Sequence, residues 1–153
     1  MNDLAVVRNA IPAMSDEVIS KVRTLEQTVF EQEQLALVTN HLLHGGLYMR
    51  TIKMLAGSVL TGALVKIPTT LIVNGVVSVY MGDKTKLFSG YNVIPASGGR
   101  KQAIYAYADS DLTMVFPTAA KTIQEAEEEF TDELDMLVSR NNPDSNVVVI
   151  TGE

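Results

Sequence analysis

The chain has no cysteine, which excludes disulfides, thiolate nucleophiles and zinc sites built on sulfur. Histidine is nearly as scarce. His41 and His44 are the only two, too few for a multi-histidine metal centre within one chain. Basic residues are in deficit, twelve against eighteen acidic ones, for a net charge of −6. A chain of that sign has no general affinity for nucleic acid or for an anionic membrane. Long apolar runs are also missing: the longest uncharged stretch, Ile67 to Gly82, contains Pro68 and falls short of the roughly 20 apolar residues that a spanning helix needs. Met1 to Ala13 carries Asp3 and lacks the basic start and apolar centre of a secretory signal. The expected location is therefore the cytoplasm.

What is present is an ordinary globular composition, 46% apolar and 20% charged over 153 residues. It suits one domain and excludes disorder over most of the chain. Charge divides the sequence: residues 1–44 carry net −3, residues 45–118 net +4 and residues 119–153 net −7. Local signals change at the same places. They suggest an N-terminal arm and helix (1–44), a strand-rich barrel (45–118), an acidic helix (119–140) and a tail (141–153), all within one domain.

In the centre, short β-like runs such as Leu47–Met54, Val59–Val65, Val76–Met81, Ala103–Ala108 and Leu112–Phe116 alternate with turn residues. Many short strands without crossover helices indicate an antiparallel sandwich or small barrel. Asn74-Gly75 has the signature of a two-residue type I′ hairpin; Gly82-Asp83 and Ser89-Gly90 are further expected turns.

The first flank reads as a helix from Ser15 to Val38. Ser15 is an expected N-cap, and Asp16 and Glu17 suit the helix dipole. Val18, Val22, Leu25 and Val29 fall on one face, which either packs on its own domain or contacts another subunit; Leu35 and Val38 extend the pattern. His41 and His44 then fall three apart at the helix end, a spacing that serves capping or, less readily, a metal. The last flank reads as a helix from Ile123 to Ser139 with a capping box at Thr122 and Glu125. Ile123, Ala126, Phe130, Leu134 and Leu137 line its apolar side, and its acids form either a solvated face or one docked on a basic patch. Beyond a hinge, Val147, Val148, Val149 and Ile150 form a β-branched run that would aggregate if free. It is expected to add to a sheet edge, more readily that of a neighbouring chain.

The stretch from His44 to Thr118 resembles the cupin family, specifically small phage-encoded cupin-like proteins. The likeness is carried by Gly45-Gly46-Leu47-Tyr48-Met49-Arg50, Ala56-Gly57-Ser58-Val59-Leu60-Thr61-Gly62, Val73-Asn74-Gly75-Val76-Val77-Ser78-Val79, Pro95-Ala96-Ser97-Gly98-Gly99-Arg100-Lys101 and Asp109–Thr118. The resemblance implies a small antiparallel jelly roll flanked by helices. It also implies a metal site that this chain has lost. The His-x-His region reads Ala63-Leu64-Val65, the glutamate region Pro68-Thr69-Thr70 and the second motif Arg100-Lys101-Gln102; Phe116 stands where relatives end a strand in histidine. Val, Thr and Phe do not ligate such metals.

No Gly-x-Ser-x-Gly elbow is present, and the acidic pairs of the last helix have nothing to separate their pKa values. The chain is therefore expected to be neither an enzyme nor cofactor-dependent. Two roles remain. One is a structural protein of a phage-like particle, a homo-oligomer in contact with other virion proteins and made in the host cytoplasm; its assembly contacts would be Val18, Val22, Leu25, Val29 and Val147–Ile150. The other is a module that sequesters a small anion such as a nucleotide signal. For that role Arg50, Lys66, Arg100 and Lys101 would supply charge, and Tyr105 or Tyr107 would stack on the ligand. The competing use of those charges is pairing with the acidic helices.

Overall fold

A computed structural model describes residues 10–33, 37–82 and 84–153. Helix α1 spans Asp16–Phe30. Its N-cap is the expected Ser15, whose hydroxyl accepts from the Val18 amide at 3.3 Å. Ile19, Val22 and Glu26 form the buried stripe at helical spacing. The helix stops at Phe30 and does not continue to Val38; residues 34–36, Leu35 included, lie outside the described residues. From Val38 the sheet takes the backbone: the Val38 carbonyl accepts from the Lys53 amide, and strand β1, Thr39–His44, pairs with β2, Leu47–Met54. The histidines thus sit on a strand, not at a helix end. The two residues between β1 and β2 are Gly45 and Gly46, at φ +60° and +73°. This is the backbone a type I′ hairpin requires, so that turn lies here.

Asn74-Gly75 makes no hairpin. It lies inside β4, a continuous strand from Thr69 to Tyr80, and Ser89-Gly90 lies inside β5, Thr85–Ala96. β5 follows β4 after a short connection in which the Met81 amide donates to the Lys84 carbonyl; of the expected Gly82-Asp83 turn, Asp83 lies outside the described residues. Gly75 is instead a crease. It faces Gly90 in register and sits at φ +147° with Ser110 pressed against it, so that a Cβ would lie 2.1 Å from the Ser110 hydroxyl. The crease lets β4 change neighbours. Thr70–Asn74 pair with β7, Ser110–Pro117, while Val77–Val79 pair with β6, Ala103–Ala106. Strand β3, Val59–Thr61, completes the β6 side.

The last flank departs from one long helix. α2, Ile123–Phe130, is capped by Thr122 on the Glu125 amide as expected. It ends at Phe130, where the Phe130 carbonyl accepts from the Lys66 amide and Glu133 swings out to the Leu64 amide at 2.7 Å. A 3₁₀ turn, Leu134–Met136, and a short helix α3, Val138–Asn141, follow, and Leu137 keeps its place on the apolar side. After a second 3₁₀ turn at Pro143–Ser145, strand β8, Asn146–Ile150, joins the sheet. It pairs with β1 of its own chain, not with a neighbour's, and in parallel, because α2 and α3 return the chain to the edge in the direction of β1.

The fold is therefore mainly β with flanking helices, the class the strand pattern indicates. Among the described residues, one sheet of eight strands runs β3-β6-β4-β7-β2-β1-β8, with β5 on the other side of β4. The inner face holds two apolar clusters. One, around Leu71, Val73, Val77, Ile94 and Leu112, is capped by Ile11 and Leu37. The other sets Leu43, Tyr48 and Phe116 against Ile123, Ala126 and Phe130 of α2. No described helix is long and apolar enough to cross a membrane.

Candidate functional site

The four cations expected at an anion site do not converge. Arg50, 5% exposed, donates to Glu127 of α2 at 3.0 Å. Lys66 pairs with Asp132 at 2.7 Å near the surface. Lys101, fully buried, holds Glu26 of α1 at 3.0 Å and Glu133 at 3.1 Å, and donates to the Gly62 carbonyl. The acidic flanks supply every one of the carboxylates in these pairs. Burial raises the Glu26 carboxyl despite Lys101. Burial would also raise Glu133, but the Leu64 amide and Lys101 outweigh it and hold that group below the ordinary carboxylate range.

Arg100 differs. It is fully buried and donates to the Ser97 carbonyl and the Thr69 hydroxyl, both at 2.7 Å. Among the described residues its Nε has no hydrogen-bond partner and it meets no carboxylate, and burial pushes its pKa down to about 10. Tyr105 of β6 and Tyr107 just beyond it are exposed and lie edge-to-face with each other at 4.8 Å.

Beneath β8 runs a continuous polar chain that the sequence pattern did not reveal. Asn146 donates to the Ser139 and Pro143 carbonyls, which turns its own oxygen toward His41 Nε2 at 2.8 Å. That nitrogen is therefore the donor, and Nδ1 accepts from the Tyr48 hydroxyl at 2.7 Å. Arg50 donates to the Tyr48 oxygen and to Glu127. Glu127 also accepts from Ser139 at 2.6 Å and from Arg140 at 3.0 Å. Burial alone would raise Glu127, yet these donors hold it below its ordinary value. Burial lowers His41 and pushes Tyr48 up to about 12. The chain ties β1, β2, α2 and α3 to the terminal strand. A cleft of about 530 Å³ opens beside it, between α2 and β8, but the polar groups lining its floor already satisfy one another. His44 points the other way, toward Thr151 and Glu153. Among the described residues, no three His, Asp or Glu side chains come together to hold a metal.

The expected assembly residues divide. Val22 is wholly buried within its own chain, so it is no outward contact, and Val18 lies on Gly82. Leu25 is exposed and Val29 partly so. Val147, Val148, Val149 and Ile150 are each about half exposed, at 48–53%, on a strand whose far edge has no neighbour in the sheet among the described residues.

That edge borders a larger feature. Strand alternation sends every second side chain to the outer face. There Val147 and Val149 of β8, Asn40 and Leu42 of β1, Met49 and Thr51 of β2, Thr113 and Val115 of β7 and Thr70, Ile72 and Asn74 of β4 form a continuous surface of apolar and uncharged polar residues, extended by Leu87, Tyr91 and Val93 of β5. None of these residues is fully buried, and Tyr91 is 68% exposed. The only Asp, Glu, Lys or Arg side chains at outward positions of these six strands are Lys53 and Asp111, which are register partners. An antiparallel sheet with one solvated face ordinarily alternates apolar with polar residues; here the alternation leads from a core to a second surface almost free of charge. The missed signal was the scarcity of charge at odd positions of β2, β5 and β7.

No protein-family model matches the chain, and no curated protein sequence matches it. Among solved structures, a cupin-2 domain protein from Shewanella frigidimarina is similar at 11% identity and TM-score 0.44, over 65% of this chain and 98% of that one. A cupin superfamily protein from Desulfitobacterium hafniense is 11% identical, with TM-score 0.46 over 60% and 85%. A cupin domain from Schizosaccharomyces pombe is 16% identical, with TM-score 0.44 over 65% and 75%.

Proposed function

We propose that the chain is a non-enzymatic assembly protein, a sheet-faced building block of a phage-like particle. The observation that carries this reading is the outer sheet face, nearly free of charge and bordered by an apolar edge strand. Monomeric proteins rarely leave such a surface to solvent. The phage-like context comes from the resemblance between His44 and Thr118. The reading is tested by mass spectrometry of particles purified from the source of the chain, together with sedimentation of the purified protein. Stoichiometric amounts in particles, or stable oligomers at micromolar concentration, support it. A monomer that never accompanies particles overturns it.

The anion-sequestering role retains one supporting observation, the Arg100 guanidinium with its orphan Nε. Calorimetric titration with inorganic phosphate and with a nucleoside triphosphate tests it. Heat that disappears in Arg100→Met would make this the leading role; no heat removes it.

A further inference from the structure

Resting on the assembly reading, we propose that two copies of this chain meet through their outer sheet faces, about a two-fold axis running along the strands between β2 and β7. Six strands lie in the row β5-β4-β7-β2-β1-β8, and the β2–β7 seam leaves three on each side. A two-fold axis parallel to the strands and lying between two stacked sheets exchanges the two sides of this seam and preserves height along the strands. Residues that are register partners within one chain therefore become facing residues between chains.

The register supplies the pairs: Met49 with Val115, Thr51 with Thr113, Lys53 with Asp111. Across the axis Met49 lies over the partner's Val115, apolar on apolar, and Thr51 over the partner's Thr113, hydroxyl on hydroxyl. Lys53 lies over the partner's Asp111. The two charged side chains of the face are opposite in sign and level in height, so the operation pairs each with its complement, twice per dimer. Within one chain Lys53 and Asp111 form no ion pair among the described residues. The acidic helix α2 packs on the inner face, so joining outer faces does not bring the two net-negative chains together at their most acidic parts. An interface of this kind takes its register from the charge pairs and its affinity from the apolar row.

The absence of cysteine makes the test clean. In stacked sheets the two copies of residue 51 lie half a strand spacing either side of the axis, whereas the two copies of residue 147 lie about 24 Å apart laterally, five strand spacings of about 4.8 Å. A short bis-maleimide should link Thr51→Cys into a covalent dimer and leave Val147→Cys uncoupled. In sedimentation equilibrium, Lys53→Asp should raise the dimer dissociation constant at least tenfold, and Lys53→Asp/Asp111→Lys should restore it. Circular dichroism of each variant at monomeric concentration separates lost association from lost folding. Linking at residue 147 with none at residue 51 would move the contact to the β8 edge, overturning this proposal and leaving the assembly reading intact. A folded Lys53→Asp protein that dimerises as the parent does would overturn the axis. A parent chain that is monomeric at high micromolar concentration would overturn this proposal, and the assembly reading falls with it only where the chain is also missing from particles.

Discussion

Replacing Glu127 by leucine should be among the most damaging single changes in this chain, and the reason can be tested separately from the size of the effect. The carboxylate is 2% exposed and receives Arg50, Arg140 and the Ser139 hydroxyl. Arg140 can turn to water, since its side chain is 32% exposed. Arg50 cannot, because only 5% of it reaches solvent. Glu127→Leu thus strands a buried guanidinium, which costs about 3–5 kcal/mol. Arg50→Met/Glu127→Leu removes both charges and should lose much less than the sum of the single changes, with a coupling of at least about 2 kcal/mol. Urea denaturation followed by circular dichroism, at one fixed protein concentration so that association does not enter, measures all four corners of the cycle. Additive single effects, or a Glu127→Leu protein within about 1 kcal/mol of the parent, would refute the claim that this pair holds the terminal helices to the sheet.

Three further outcomes are expected. Burial depresses the His41 pKa in the folded chain, so the unfolded chain binds its proton first; stability from this group is intact above the unfolded value of about 6.5 and is lost as pH falls below it, by at most about 1.4 kcal/mol per pH unit. Because Arg50 and Tyr48 crowd one side of the ring and Asn146 the other, hydrogen exchange on acidification should accelerate first in β8 and β1, and an unchanged pattern between pH 7.5 and 5.5 would argue against this. Gly75→Ala should cost roughly 2–5 kcal/mol through positive φ and contact with Ser110, and Ser110→Ala should not rescue it, because the Ser110 Cβ and Cα would still lie 2.5 and 2.7 Å from the new methyl; a thermal melt of the double variant decides. Truncation before Asn146 should lower the unfolding free energy measured in urea by about 1–3 kcal/mol, since His41 Nε2 loses its acceptor, and a chain that unfolds as the parent does would show that β8 is not anchored.

The strands were legible where apolar residues alternate between turn residues, and the caps at Ser15 and Thr122 were legible because a hydroxyl three residues before a free amide is a purely local device. Gly75 was misread for a physical reason. A glycine that turns the chain back and one that creases a strand both need positive φ, and only the neighbour pressed on it, Ser110 from a strand 35 residues away, tells them apart. The helix expected to reach Val38, with His41 and His44 at its end, stops at Phe30, and the histidines fall on a strand because Thr39–His44 pairs with β2, a contact that local pattern does not carry. The charge asymmetry of the three segments was visible, and part of its use with it, since docking on the chain's own basic centre stood as one of two expectations. The destinations were not visible: Glu127 faces Arg50 from within α2, whereas Glu133 reaches Lys101 from beyond the helix end at Phe130, whose carbonyl accepts from the Lys66 amide.

The parallel pairing of β8 with β1 has a consequence for how the molecule is made. β1 is translated well before β8, yet Thr39 is set against Asn146. The central strands can pair while β8 is still inside the ribosome, but β1 then keeps an open edge and His41 lacks its acceptor. That edge closes only once β8 has emerged. A product that stops before Asn146 therefore carries a β1 edge that β8 would otherwise cover, and open edges of this kind are where misplaced strand pairing begins.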